Sequence, residues 1–223
     1  MFQRSHAVNS NSKTIIMTSE QTTKEILQQY GTNLQTGLTT DQATQRREET
    51  GSFNVVQPPI NCPGWVCCLL PCIKSIPSMK AFASIKPEDA EVLRNGKWIR
   101  YDAASLVQGD VIRIEEGDVV PADCVLVEVL AEEELLVDLR PVTGEERLKT
   151  ITAASLSSSS SKVTGFPKLY MGGKVVQGGA TAVITDIGPN TLLGKLIREK
   201  KFPPTELILV DDSDRGISMG DLS

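Results

Sequence analysis

The sequence predicts a mainly β fold with short helices, a distorted β-barrel or double-stranded roll that is preceded by a small helical segment. Three observations indicate this. From Ala90 onward, short runs rich in β-branched residues alternate with turn signals. Asn95-Gly96 lies between two runs with alternating apolar residues, which is the strongest hairpin signal in the chain. The helical signals are short and lie before this region or after Asn190.

The N-terminal part of the chain predicts disorder followed by a short helix. Residues 1–20 are polar and show little apolar periodicity, which is typical of disorder. Because no acidic residue precedes Glu20, a targeting segment is the alternative. Ile26 and Tyr30 are four residues apart, so residues 22–30 are expected to form a helix with one apolar face.

A second helix is predicted within the small helical segment, residues 21–57. Thr39 and Gln42 have the spacing of a capping box, in which each side chain bonds the backbone of the other residue. The helix is expected to run to about Glu49 and to end at Gly51. Because its surface is mostly polar, we expect it to dock weakly or not at all.

Residues 58–87 are rich in proline and cysteine and predict an irregular linker. The apolar stretch at residues 65–73 is shorter than the ~20 residues of a membrane-spanning helix and contains a proline. Cys67, Cys68 and Cys72 are candidates for S-acylation, which would anchor the chain at a membrane surface. The alternative is that these cysteines pack as small apolar side chains. A zinc site fits poorly, because its paired ligands are usually separated and Cys67 and Cys68 are adjacent.

Residues 88–200 are predicted to form the β domain. Beyond the hairpin, the strand candidates are residues 111–115, 123–129, 135–139, 168–171, 174–176 and 180–186. Cys124 falls in one of them and is expected in the core, and a helix is expected after Asn190. Residues 155–161 are serine-rich and predict a loop. Residues 201–223 predict a flexible acidic tail, for which an added strand is the alternative.

Several motifs follow one another along the β domain. They are Arg94-Asn95-Gly96-Lys97-Trp98, Leu106-Val107-Gln108-Gly109-Asp110, Gly117-Asp118-Val119-Val120-Pro121-Ala122-Asp123, Val142-Thr143-Gly144-Glu145, Gly172-Gly173-Lys174-Val175 and Ile187-Gly188-Pro189-Asn190-Thr191. In this order they resemble the actuator domain of P-type ATPases. Gln108 stands where that family usually has proline.

A weaker resemblance precedes the β domain. Gly37-Leu38-Thr39 opens the predicted second helix, and Gly51-Ser52-Phe53-Asn54 follows it. Together they are similar to the small N-terminal segment of cation-transporting members of the family.

The resemblance implies a role for Glu145. In the family, a Thr-Gly-Glu loop swings over a phosphorylated aspartate in a separate domain, and its glutamate orients the water that hydrolyses the acyl phosphate. The resemblance therefore carries this role to Glu145, with Thr143 and Gly144 shaping the loop, and only toward a phosphorylated partner domain. Glu146 replaces the serine that usually follows, and Asp138-Leu139-Arg140-Pro141 replaces the usual preceding residues. A structural or docking loop is the alternative.

Other functions are disfavoured by composition and motifs. The net charge of -5 argues against a nucleic-acid partner, which would require a basic surface. Nucleotide, cofactor and metal sites are not expected, because no Gly-x-x-x-x-Gly-Lys-Ser/Thr string occurs and the single histidine lies at position 6. The odd number of cysteines, five, disfavours a disulfide framework. Asp118 and Asp123 are interpreted as turn and strand residues whose carboxylates bond backbone N–H groups.

The chain lacks the Asp-Lys-Thr-Gly-Thr string that P-type ATPases phosphorylate, so it is not expected to be an enzyme on its own. The leading hypothesis is a stand-alone actuator-domain protein that regulates or binds a cation-transporting P-type ATPase. One alternative is a subunit or degenerate piece of such an ATPase that supplies the loop in trans. Another is an acylated scaffold. The expected location is the cytoplasmic side of a membrane, as a peripheral protein, with the cytoplasm as the alternative.

Overall fold

The computed structural model describes residues 19–61, 73, 75–130, 134–153, 156 and 166–205, with side chains from residue 23 onward. Residues 1–18 of the predicted disordered N-terminus, most of the serine-rich loop and most of the acidic tail lie outside these residues. So do the four cysteines of the predicted linker, including the acylation candidates Cys67, Cys68 and Cys72. Ser19 and Glu20, which the sequence predicts to be disordered, instead begin the first helix.

The described elements are short. The helices are α1 (Ser19–Gln29), α2 (Thr40–Thr50), α3 (Pro77–Ser84), α4 (Arg140–Thr143) and α5 (Leu192–Arg198). The strands are β1 (Asp89–Arg94), β2 (Lys97–Asp102), β3 (Val111–Ile114), β4 (Asp123–Val129), β5 (Leu135–Asp138), β6 (Lys149–Ile151), β7 (Lys168–Leu169), β8 (Lys174–Gln177) and β9 (Ala180–Asp186). Among the described helices, none combines the length and apolar character needed to cross a bilayer.

The strands form two antiparallel sheets. The larger sheet has the order β2-β1-β3-β9-β4-β7 and the smaller one the order β6-β5-β8. The chain just before β4 pairs with the start of β8, since Val120 N bonds Gly173 O at 2.7 Å and Val175 N bonds Asp118 O at 2.9 Å. This segment therefore links the two sheets. The predicted mainly β fold with short helices is confirmed, but "barrel" is a loose description, because the sheets formed by the described strands stay open.

One apolar core joins the two sheets. It contains Ile112 and Leu126 from the larger sheet, Leu135 and Val175 from the smaller one, and Leu193 from α5. The opposite face of the larger sheet is also covered, because α1 packs Ile26 against Leu93, Val111, Val125 and Val183. Burial on both faces explains why β4 reads as a nearly continuous apolar run.

The hairpin and the capping box form as the sequence predicts. Asn95 and Gly96 have φ angles of 51° and 72°, the left-handed conformation that a tight hairpin requires at both positions. Thr39 and Gln42 exchange their two capping hydrogen bonds at the start of α2. The side-chain Nδ2 of Asn95 also donates to Thr40 Oγ1 at 2.6 Å, so the hairpin turn contacts the start of this helix.

Helix α2 docks firmly on the β domain, which corrects the expectation of weak docking. Arg46 Nη1 donates to Gln108 O at 2.7 Å, and Arg46 Nη2 donates to Tyr30 O at 2.6 Å. Arg47 Nη2 donates to Ser105 O at 2.7 Å. The helix buries little apolar surface, and guanidinium groups that bond backbone carbonyls hold it in place instead.

Asn54 joins the helical segment to the β domain through three hydrogen bonds of its side-chain amide. Its Nδ2 donates to Ala103 O and to Pro121 O, both at 2.9 Å, and its Oδ1 accepts from Gly188 N at 2.9 Å. The side chain is buried, so all of these bonds are shielded from water. The Gly-x-x-Asn turn therefore fastens three separate parts of the chain.

The predicted irregular linker contains a helix in its described part. Pro77 occupies the first turn of α3, where its missing N–H has no helical partner to lose. Phe82 then reaches the core edge and meets Phe202 edge-on, with ring centroids 6.5 Å apart. Proline here marks the beginning of a helix and not an interruption.

Candidate functional site

The Thr143-Gly144-Glu145 loop is built on one helical turn, α4, that follows β5 directly. Gly144 has φ of 75° and donates its N–H to Arg140 O at 3.0 Å, which ends the turn. Thr143 is buried, and its Oγ1 donates to Leu139 O at 3.1 Å. The same Oγ1 accepts from Glu145 N at 3.4 Å. The backbone of Glu145 is thus set by bonds within the loop.

Two glycines form the surface on which this loop rests. A β-carbon on Gly173 would lie 2.7 Å from Leu139 Cδ2, and one on Gly172 would lie 3.2 Å from Val142 Cγ2. Leu139 and Val142 are fully buried. The turn at residues 172–173 therefore allows the loop to approach a backbone that carries no side chain.

An ion pair between Arg140 and Asp138 lies beside the loop. Arg140 is bound by Asp138 through several hydrogen bonds, the shortest at 2.5 Å from Nη2 to Oδ2. The bonds from the Arg140 side chain hold the pKa of Asp138 below its usual range. Glu145 is half-buried, and within the described part of the chain its carboxylate has no hydrogen bond or ion pair. Glu146 and Arg147 beside it are exposed.

The two aspartates of the Gly117–Asp123 motif have structural roles, as predicted. Asp118 Oδ2 accepts from Glu115 N at 2.8 Å and closes a turn. Asp123 is buried, with Oδ1 accepting from Met171 N at 2.9 Å and Oδ2 from Leu192 N at 2.7 Å. Burial raises the pKa of Asp123 to about 7, although the two backbone N–H donors oppose the shift.

Gln108, the residue at the usual proline position, is held by a hydrogen bond. Its Nε2 donates to Thr185 O at 2.6 Å, which ties the turn to the end of β9. Cys124 is buried in the core as predicted, and burial raises the pKa of its thiol. Within the described residues, no cluster of three or more His, Cys, Asp or Glu side chains offers a metal site.

Sequence reasoning found the loop but not the surface beneath it. The sequence indicated Gly172 and Gly173 only as part of a family motif, and it did not predict what they contact. In the structure they approach Val142 and Leu139, which lie about thirty residues earlier in the chain. The position of Met171 beside Asp123 was not predicted either. Such contacts leave no periodic signal in the sequence.

Two family profiles match this chain. The profile of the P-type ATPase actuator domain matches residues 84–201, which is more than half of the chain. The chain belongs to the P-type ATPase actuator-domain family. A second profile, that of the cation transporter/ATPase N-terminus, matches residues 18–69. Both resemblances that the sequence motifs indicated are confirmed.

Relatives of this actuator domain include ATPases that are much longer than this chain. The Sodium/potassium-transporting ATPase subunit alpha of Hydra vulgaris is 32% identical over 123 residues, which cover 55% of this chain and 11% of that protein. The Endoplasmic reticulum calcium ATPase srcA of Aspergillus fumigatus is 34% identical over 122 residues, which cover 54% of this chain and 12% of the relative. The chain thus spans about a ninth to an eighth of the length of these relatives.

Among solved structures, the actuator domain is similar to a zinc-transporting PIB-type ATPase in the E2.Pi state. The sequence identity is 24% and the TM-score 0.41, with 57% of this chain and 19% of the other chain covered.

Proposed function

We propose that this actuator domain binds a cation-transporting P-type ATPase through the Thr143-Gly144-Glu145 loop and biases the conformational cycle of that pump. The single observation that carries the proposal is the preformed loop, whose Glu145 carboxylate has no partner within the described residues. In this proposal the domain does not hydrolyse ATP by itself, because the phosphorylated aspartate belongs to the pump. The domain acts at the cytoplasmic side of the membrane, as a peripheral protein.

The energetic requirement is differential affinity. A bound protein shifts a pump between two states only as far as it binds one more tightly than the other. A loop of fixed shape meets this requirement, since it fits one arrangement of the pump's phosphorylation domain better than another. The buried Thr143 and the glycine surface support such a fixed shape.

A second candidate function is favoured by the same unpaired carboxylate. Glu145 would position the water that attacks an aspartyl phosphate in the pump, acting in trans as a general base. Glu146 counts against close approach of a phosphoryl group, because it adds a second negative charge. Arg140 offers little compensation, since Asp138 already neutralises it.

The decisive experiment measures dephosphorylation of pump phosphoenzymes. Membranes containing a calcium ATPase or a sodium/potassium ATPase are phosphorylated with radiolabelled ATP and chased with unlabelled ATP, with and without the full 223-residue chain. We expect the chain to change the rate of phosphate loss and to sediment with the membranes. No change of rate with either pump at saturating concentrations of the chain, together with no cosedimentation, would contradict the proposal.

Two variants separate docking from catalysis. If Glu145 positions water, Glu145→Gln should abolish an acceleration that general-base action makes roughly a hundredfold or larger. If the loop only docks, Glu145→Gln should keep most of the effect. Glu146→Gln is the matched control, because it removes an adjacent exposed charge and should bind the phosphorylated pump at least as well as the original chain.

A further inference from the structure

Asp123 connects three elements that are far apart in sequence. Its carboxylate accepts Met171 N, 48 residues later, and Leu192 N, 69 residues later. Its backbone carbonyl accepts from Thr185 Oγ1 at 3.2 Å. Leu192 is the first residue of α5, and Thr191 Oγ1 caps the same helix by accepting Gly194 N at 3.1 Å. The buried carboxylate thus holds both the start of α5 and the residue before Gly172.

A short chain of contacts leads from this carboxylate to the loop. Met171 precedes the glycine turn, and Gly173 lies directly against Leu139. Leu139 O accepts both the backbone N–H of Thr143, at 2.8 Å, and the Thr143 hydroxyl, at 3.1 Å. Thr143 Oγ1 in turn accepts from Glu145 N. These contacts form a continuous path from Met171 to the loop.

We propose that Asp123 is a positioning residue for the Thr143-Gly144-Glu145 loop, which loosens when the Asp123 carboxylate takes up a proton. A protonated carboxyl oxygen carries an O–H donor, and a neutral carboxyl group accepts a backbone N–H more weakly than the charged carboxylate does. Protonation therefore weakens the hydrogen bonds that Asp123 accepts from Met171 N and Leu192 N. The structural coupling is independent of any pump, whereas its functional consequence rests on the proposed function above.

The groups that face Asp123 place this protonation near neutral pH. Burial favours the neutral carboxyl most strongly, and Asp186 on β9 adds to that preference. The N–H groups of Met171 and Leu192 favour the charged form, as does Lys195 on α5. The neighbouring Cys124 thiol is buried and stays uncharged. The opposing effects leave the pKa of Asp123 at about 7.

The test is an NMR titration of the full chain from about pH 5 to about pH 9. We expect the amide protons of Met171 and Leu192 to titrate together with a midpoint near 7. We also expect the protection of the Thr143, Gly144 and Glu145 amides against hydrogen exchange, corrected for the intrinsic pH dependence of exchange, to fall roughly fivefold on the acidic side. That factor corresponds to the net contribution of about one hydrogen bond.

Four variants make the test specific. Asp123→Asn should remove the common pH response. Asp118→Asn should leave it intact, because the Asp118 carboxylate, in the same motif, accepts Glu115 N and neither Met171 N nor Leu192 N. Leu192→Pro deletes one donor to Asp123 at a helix position that proline fits, so it should move the midpoint to higher pH. Leu192→Ala is the control for Leu192→Pro, because it shortens the side chain but keeps the N–H group that donates to Asp123.

The proposal is overturned if Met171 and Leu192 titrate while the loop amides show no pH response, or if that response persists in Asp123→Asn. If Asp123→Asn does not fold, the original chain and the Leu192 pair still decide the outcome. A pH-coupled loop with no effect on any pump phosphoenzyme would contradict the proposed function alone. An effect on a pump without a pH-coupled loop would contradict the coupling alone.

Discussion

The Arg94 guanidinium binds the Asp110 carboxylate through two hydrogen bonds, 2.9 Å from Nε to Oδ1 and 2.5 Å from Nη2 to Oδ2. The two side chains are only 5% and 0% exposed. Asp110 Oδ2 also accepts Val107 N, and the Arg94 guanidinium lies 4.7 Å from the centre of the Tyr101 ring. Burial lowers the pKa of Arg94, but its bond and charge interaction with Asp110 more than offset this effect and leave the pKa raised.

Removal of one partner of this ion pair should be strongly destabilising. Asp110→Asn leaves a buried guanidinium without a counter-charge, so we expect the free energy of unfolding in urea to fall by about 3–5 kcal/mol. Asp89→Asn is the matched control, because the Asp89–Arg100 pair is 51% and 62% exposed, and it should cost less than about 1 kcal/mol. Equal costs for the two variants would contradict the assigned role of burial.

Loss of the Asn54 amide should detach the helical segment from the β domain. Asn54→Ala removes the side-chain partner of Pro121 O and of Gly188 N, and it removes one of the two donors to Ala103 O, which keeps Leu106 N. We expect the free energy of unfolding in urea to fall by about 3 kcal/mol. Limited proteolysis should then cleave near α2 before the β domain unfolds. Asn33→Ala provides the comparison. Asn33 is exposed and its side-chain Oδ1 accepts Gln35 N, so the free energy of unfolding should fall by less than about 1 kcal/mol.

The glycine surface under the loop should not tolerate a methyl group. Gly173→Ala would place its β-carbon 2.7 Å from Leu139 Cδ2, and overpacking of this kind costs about 1–3 kcal/mol. The amide chemical shifts of Thr143 and Glu145 should move in the variant. Gly51→Ala has φ of 61° but open space around it, so it should cost about 1 kcal/mol through backbone strain and leave those shifts unchanged. Unmoved loop shifts in Gly173→Ala would show that the contact does not position the loop.

Stability should depend on pH through Asp123 with a defined sign. Its pKa is about 7 in the folded chain and near 3.8 when unfolded, so the folded state binds the proton more tightly between these values. Asp123 therefore contributes stability that is fully present below about pH 4, decreases up to about pH 7 and stays constant above that. The slope attributable to Asp123 is at most about 1.4 kcal/mol per pH unit.

The measurement is the difference in unfolding free energy between the original chain and Asp123→Asn at a series of pH values. Subtracting the variant cancels the other carboxylates, including Asp138. The pKa of Asp138 is lowered by Arg140, so its stabilising contribution is lost only as the pH falls toward strongly acidic values. A difference that does not change between about pH 4 and about pH 7 would contradict the assignment.

Local sequence signals predicted the elements that depend on neighbouring residues. The Asn95-Gly96 hairpin, the Thr39 and Gln42 capping box, and the strand at residues 123–129 formed as expected. In each case the interaction joins residues close in sequence, or an apolar run long enough to indicate burial. The ordered motifs of the β domain identified the family for the same reason.

The sequence by itself determined the mainly β fold, the position of the Thr143-Gly144-Glu145 loop and the family. The tertiary structure decided how α2 is held, because guanidinium bonds to distant carbonyls produce no apolar periodicity. It also decided the surface under the loop, since the Gly173 contact with Leu139 exists only after the sheets assemble. The titration of Asp123 near neutral pH likewise depends on burial and on two distant N–H groups, which no local pattern encodes.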